Sequence, residues 1–465
     1  MAEKLSADDV LNTVGRKNQK IISCILLCGI TWTPIAFTAF CPSFVLKSPD
    51  NSSFVAISDE FDVTGDSKWL ADSTTTFYMI GNMIGGIFIP PLADKYGRLP
   101  IFVVTLLLMS AAGCASAFSL SLLSFCILRL IHGVFYTAAG LAGWVLCYEN
   151  TPVGLRFFTS VYFGITWVVG ACLLALLAYI LPNWRILMFT ISIPNVVIAA
   201  IIYFFVPESI HYLASIHDSA NVKKWLDYVM GPQNNIEASD IVEEQHDGKT
   251  STFVGLMRDS WKHKIFLLYI LSMAYIWIVD TFIYFGLSFY STDLAGDVYT
   301  NFVLMSLVEA PAYILAPVFM NKYGRKTLIS GTHIIAGLAF LGIVLLPETY
   351  HLHFWLVGKF SISCSFMSIY MFAGELFPTD GRNKCIGFCE TMSRFGGMLS
   401  PYLGQLATIF AMGPAIVLTV ISITGGLLTL LLPETLNTKL PSTIAESACR
   451  KRLLGRSSSS DSSSL

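Results

Sequence analysis

Apolar runs long enough to cross a lipid bilayer recur along the whole of this 465-residue chain. A run of ~20 residues spans a ~30 Å hydrocarbon core as a helix. In lipid every backbone N–H and C=O must find its partner inside the protein, and runs this long do so as helices rather than as barrel strands. We read twelve spans: 21–46, 69–91, 100–119, 121–147, 157–181, 184–206, 264–289, 299–320, 326–346, 353–377, 384–408 and 410–432. Charge content agrees, at 13% of residues against roughly 25% in soluble domains. The first twenty residues are polar and the first apolar run is too long for a secretory-signal core, so neither is expected to be a cleaved leader. The eleven cysteines lie mostly inside the runs without disulfide or metal-ligand spacing and read as buried small hydrophobes.

The chain repeats itself. Leu92-Ala93-Asp94-Lys95-Tyr96-Gly97-Arg98 returns as Phe319-Met320-Asn321-Lys322-Tyr323-Gly324-Arg325, an offset of 227 residues. Glu149 and Arg156 return as Glu375 and Arg382, and Pro207-Glu208-Ser209 as Pro433-Glu434-Thr435, both at an offset of 226. Three landmarks in one order at one spacing predict an all-α membrane protein of two pseudo-symmetric six-helix bundles. The expected divisions are a lead-in at 1–20, a first bundle at 21–206, a linker at 207–263, a second bundle at 264–432 and a serine-rich tail at 433–465. Two similar halves around a central pathway is a transporter layout. Asp94 and Arg98 can reach Glu149, Arg156 and Glu208 from neighbouring helix ends, and Arg325, Glu375, Arg382 and Glu434 repeat the set. These nine are expected to act as a gate that closes one end of the pathway and opens in the other state.

Lysine and arginine set the expected orientation. With both termini in the cytoplasm, 23 of the 29 basic residues fall in cytoplasmic segments and only Lys47, Lys68 and Arg185 in outer loops. The same orientation puts Asn51, of the acceptor Asn51-Ser52-Ser53, outside as a glycosylation site. No hydrolytic motif, phosphate-binding loop or metal cluster is evident, so neither an enzyme nor a nucleotide-driven pump is expected. No cofactor, metal or nucleic-acid partner is implied. The expected partners are the bilayer and a small organic ion.

The motif Leu92–Arg98 resembles the signature loop of the major facilitator superfamily, and Pro207-Glu208-Ser209 is shared with its sugar and organic-ion porters. Several further stretches resemble the organic cation, anion and carnitine transporter family, solute carrier family 22. They include Leu307-Val308-Glu309-Ala310-Pro311, Gly374-Glu375-Leu376-Phe377-Pro378-Thr379 and Leu432-Pro433-Glu434-Thr435-Leu436-Asn437. The resemblance covers nearly the whole chain. It implies the twelve-helix fold of that superfamily, a plasma-membrane location and transport by alternating access. Departures are a short first outer loop without cysteine, Pro90, His211-Tyr212 after Ser209, and Asn321 in the second signature loop.

Six charges lie within the spans: Arg129, Asp280, Glu309, Lys359, Glu390 and Arg394. Intramembrane charge is costly and usually faces a partner or a watery cavity. Trp277, Asp280 and Tyr284 share one face of span 7, a carboxylate between aromatic rings that suits an organic cation. The resemblance places this face, Glu309 and Trp167 along the family's cavity. It also aligns Arg394 with its anion and carnitine branches. Arg394 either offers a fork to a carboxylate or is occupied by Glu390 one turn earlier. The expected function is carriage of an organic cation or carnitine-like zwitterion. An organic anion transporter, a sugar porter and a transport-inactive membrane receptor or scaffold are the alternatives.

Overall fold

The computed structural model describes residues 5–47, 54–63, 65–232, 236–237, 241, 258, 263–379 and 381–447. Asn51, part of the linker and the basic tail lie outside them. The described residues are helical, with no strand beyond two isolated bridges.

Eleven helical segments are long and apolar enough to cross a membrane: Gln19–Val45, Lys68–Tyr96, Arg98–Ser116, Leu122–Glu149, Val153–Ile180, Trp184–Phe205, Lys264–Asp293, Val298–Tyr323, Arg325–Leu345, Glu348–Leu376 and Gly413–Leu431. They correspond to expected spans 1–10 and 12. Span 11 is helical too, as Arg382–Leu399 and, past a 3₁₀ turn, Leu403–Ile409. Its first stretch is too polar for that group, because Asn383, Lys384, Glu390, Thr391, Ser393 and Arg394 share eighteen residues with few large aliphatics.

Proline explains the breaks within spans. It has no N–H to give to the carbonyl four residues earlier. Span 1 is interrupted at Thr31 and Cys41 around Pro34 and Pro42, and span 8 at Val308 ahead of Pro311. Pro90 starts a short helix, Pro90–Tyr96, in the first turn, where a missing N–H costs nothing. Elsewhere side chains cap the starts: Asn18 for span 1, Ser121 for span 4 and Asn183 for span 6.

The chain forms two compact units, Met1–His246 with Gly296–Ser306, and Asp247–Ala295 with Leu307–Leu465. Residues 296–306, expected in the second bundle, therefore group with the first. There Tyr299 stacks on Phe44 at 5.6 Å and Phe302 meets the edges of Phe40 and Phe44 at 5.8 and 4.9 Å. In this unit spans 2 and 4 lie so close that a Cβ on Gly81 or Gly85 would collide with the backbone carbonyls of Leu130 or Val134. The lead-in helix Ala7–Val14 buries Ala7, Val10 and Leu11 and turns Asp8 to Arg156. In the second unit a core of Phe266, Tyr269, Ile270, Met273, Ile276, Ile369, Phe372, Leu376 and Phe377 joins spans 7 and 10.

Candidate substrate and gating sites

The two signature turns build nearly identical networks. Gly97 takes φ 102° and ends one helix while starting span 3; Gly324 does the same before span 9 at φ 97°. The exposed N–H groups of the new helix are met by a glutamate: Glu208 accepts from Arg98 and Leu99 at 3.1 Å, and Glu434 accepts from Arg325 at 2.9 Å. Arg98 pairs with Glu149 at 3.1 Å, and Arg325 with Glu375 at 3.0 Å. A hydroxyl then secures each acceptor, from Ser209 on Glu149 and from Thr435 on Glu375 at 2.6 Å. Burial pushes the Glu208 carboxyl up from its ordinary value, against the pull of the backbone N–H groups and Arg98. Asp94 adds a 3.1 Å contact to Arg98.

Two expected members stand apart. Arg156 reaches Asp8 at 2.6 Å and lies over the Tyr148 ring at 4.7 Å, because it opens span 5 beside the lead-in helix. Arg382 opens span 11 and donates to the Phe377 carbonyl at 3.4 Å. The described pairs of each network fasten helices of one unit to one another.

Of the six intramembrane charges, four cancel in pairs within the second unit. Lys359 and Glu309 are 2.9 Å apart, with the lysine 0% and the glutamate 2% exposed at the side chain. Tyr284 and Tyr313 donate to the same Glu309 oxygen at 2.6 and 2.7 Å. Lys359 also donates to Ser288 and the Tyr284 carbonyl at 2.7 and 3.0 Å, and lies 3.6 Å from the Tyr284 ring centre. Arg394 donates to Glu390 at 3.0 Å one turn away, so of the two arrangements left open it takes the occupied one.

Asp280 is fully buried and has no lysine or arginine partner among the described residues. Ser365 donates to one of its oxygens at 2.9 Å, and His333 Nε2 stands 3.2 Å from the other. The aromatic flanks expected for it are otherwise engaged. Trp277 packs on Tyr370 at 4.4 Å, and Tyr284 stacks on Phe366 at 5.3 Å while serving the Lys359–Glu309 pair. His333 and Ser365 escaped the sequence reading. A count of Asp, Glu, Lys and Arg passes over a lone histidine in span 9 and a serine among several in span 10.

In the first unit Arg129 is 1% exposed and forms no ion pair among the described residues. Its guanidinium lies 4.2 Å over the Tyr78 ring and 3.3 Å from His132 Nδ1. Nη2 has no hydrogen-bond partner. Trp167 is buried against the edges of Trp32 and Phe40 at 5.8 and 5.1 Å. The ten described cysteines are free thiols.

Residues 35–401 match the family model of the Major Facilitator Superfamily. A Caenorhabditis elegans protein, B0252.3, whose name describes it only as a candidate transporter, is 68% identical over 461 residues, covering 99% of this chain and 95% of its own. Organic cation transporter 1 of the same organism is 31% identical over 420 residues, covering 85% of this chain and 70% of its own. The xylose transporter XylE of E. coli shares the fold at a TM-score of 0.68 and 17% identity, over 90% of this chain and 98% of that one. Paired signature networks, an all-helical multi-pass chain and these likenesses agree, and the chain belongs to the Major Facilitator Superfamily of membrane transporters, within its organic cation transporter family.

Proposed function

We propose that the protein carries small organic ions, an organic cation or a carnitine-like zwitterion, across the plasma membrane by alternating access, with both termini in the cytoplasm. The observation that carries the substrate reading is the pairing of intramembrane charge. Of the six intramembrane charges, the Lys359–Glu309 and Arg394–Glu390 pairs each neutralise internally, so among the described residues the second unit keeps one carboxylate, Asp280, without a lysine or arginine partner, while the first keeps one cation, Arg129. Charges retained in lipid at such cost are functional by default. A buried carboxylate of this kind suits a solute that bears a positive charge. The relative named organic cation transporter 1 supports the cationic end. The basic excess of the connecting segments supports the orientation. Within each unit, the signature networks would let the helices move as one body when the pathway switches sides.

The test is uptake in oocytes of labelled tetraethylammonium, carnitine, an aryl carboxylate and glucose. Tetraethylammonium or carnitine should enter, and Asp280→Asn should weaken that entry at normal surface expression. Glucose uptake without either ion would reject the reading, as would cation uptake of undiminished affinity in Asp280→Asn.

A further inference from the structure

We propose that His333 and Asp280 form a proton-binding site, and that the carrier exchanges one proton for each organic cation. The exchange rests on the organic-cation reading above; the proton site does not. His333 is fully buried midway along span 9. Its Nε2 lies 3.2 Å from Asp280 and 3.2 Å from Ser365 Oγ, and that hydroxyl donates to the other Asp280 oxygen. With the serine proton given to Asp280, its lone pair accepts from Nε2–H, which fixes the neutral tautomer. The remaining ring nitrogen, Nδ1, is then the basic one, and it has no hydrogen-bond partner. Space is left for it. A Cβ on Gly425 would stand 3.2 Å from Nδ1 and 3.3 Å from Cε1, so the ring faces the bare backbone of that glycine.

Among the described residues, Asp280 is the one acid or base paired with the ring. Span 7 contributes Asp280. Span 10 contributes Ser365, with Lys359 six residues earlier and held by Glu309. Span 8 contributes Glu309 and Tyr313, bonded to each other. Helix Gly413–Leu431 of span 12 has no ionisable residue.

Protonation forms an N–H bond at Nδ1 and turns His333 into an imidazolium facing the Asp280 carboxylate. That charge satisfies Asp280 from within the protein, so an organic cation loses its counter-ion. Loss of the proton breaks the same bond and restores a negative charge for the cation to meet. Imidazolium and organic cation thus alternate as the partner of one carboxylate, and a proton leaving His333 as a cation enters moves no net charge.

The test uses the full chain in liposomes, with tetraethylammonium as probe and the membrane potential clamped at zero by potassium and valinomycin. An acidic lumen should drive accumulation, about tenfold per pH unit for one-to-one exchange, with the lumen turning alkaline as it proceeds. His333→Asn should lose both the accumulation and the proton efflux. Accumulation in the native chain that ignores the gradient overturns the exchange. A pH jump without substrate reads the site alone: a transient charge movement is expected from the native chain and not from His333→Asn. Its absence from the native chain overturns the proton site, whether or not tetraethylammonium is carried. Failure of both tetraethylammonium and carnitine to enter under every gradient, with the charge movement present, would instead overturn the organic-cation reading and leave the proton site supported.

Discussion

At Gly97 and Gly324 the backbone occupies a region, near φ 100° and ψ 155°, that residues with a Cβ almost never adopt. A Cβ on Gly97 would also stand 2.5 Å from the Glu208 carboxylate, displacing the acceptor of the next helix's first N–H groups. Gly97→Ala and Gly324→Ala should each cost about 2 kcal/mol or more, read as a lower unfolding temperature of the purified protein. A second prediction concerns the buried pair in the second unit. Lys359→Met leaves Glu309 charged, buried and short of its cation, at a cost of about 3 kcal/mol. Adding Glu309→Gln should recover most of that stability, because two tyrosines still donate to the oxygen that remains. A double variant no more stable than Lys359→Met would show that the pair acts through something other than its charges. The Arg394–Glu390 pair differs, with side chains 17% and 21% exposed, so its rupture should be milder.

Elements meet outside the spans as well. The short helix Ile57–Glu60 is tied to the start of span 6: Glu60 accepts from Trp184 Nε1 at 2.7 Å and from Arg185 Nε at 3.0 Å, and Val55 bonds the backbone at Pro182 and Trp184. Hydrogen bonding from Arg185, then from Trp184, holds the Glu60 carboxyl below its usual range despite partial burial. A carboxyl lowered by folding stabilises the native state above its unfolded pKa and loses that contribution as pH falls through the lowered value. Stability should therefore drop in acid, and Glu60→Gln should remove that part of the drop. Thermal unfolding of the two proteins across an acid series should converge at its low end; curves that stay parallel would exclude Glu60. Such ties explain what could be read from residue order. Span ends were legible because caps, prolines and apolar length act locally, and the repeat exposed Arg98–Glu149 and Arg325–Glu375 through its spacing. The partners of Arg156, Arg382 and Asp280 were not legible, since they depend on which helix faces which. Span 11 was read with the other apolar runs, and the structure shows its first stretch, Arg382–Leu399, to be polar.

For the molecule as a whole, the charge left over in each unit should govern which solutes are carried. Among the described residues Asp280 meets a serine and a histidine, and Arg129 meets a histidine, an aromatic ring and the Cys41 thiol but no acid. An arginine stays protonated at any working pH, so burial of Arg129 without an acid is a standing cost unless an anionic group meets it during the cycle. The two charges then make separable demands. A cationic group needs Asp280, and a carboxylate group needs Arg129. Arg129→Gln keeps much of the side chain's volume and removes the charge. It should weaken carnitine binding by about 2 kcal/mol, roughly thirtyfold in affinity, and leave tetraethylammonium nearly untouched. Asp280→Asn should weaken both. Competition curves for the two solutes, measured side by side at matched surface expression, separate the cases. Equal loss of both solutes in Arg129→Gln would make the arginine a packing element of span 4, and a solute with a single positive charge would then account for Asp280 by itself.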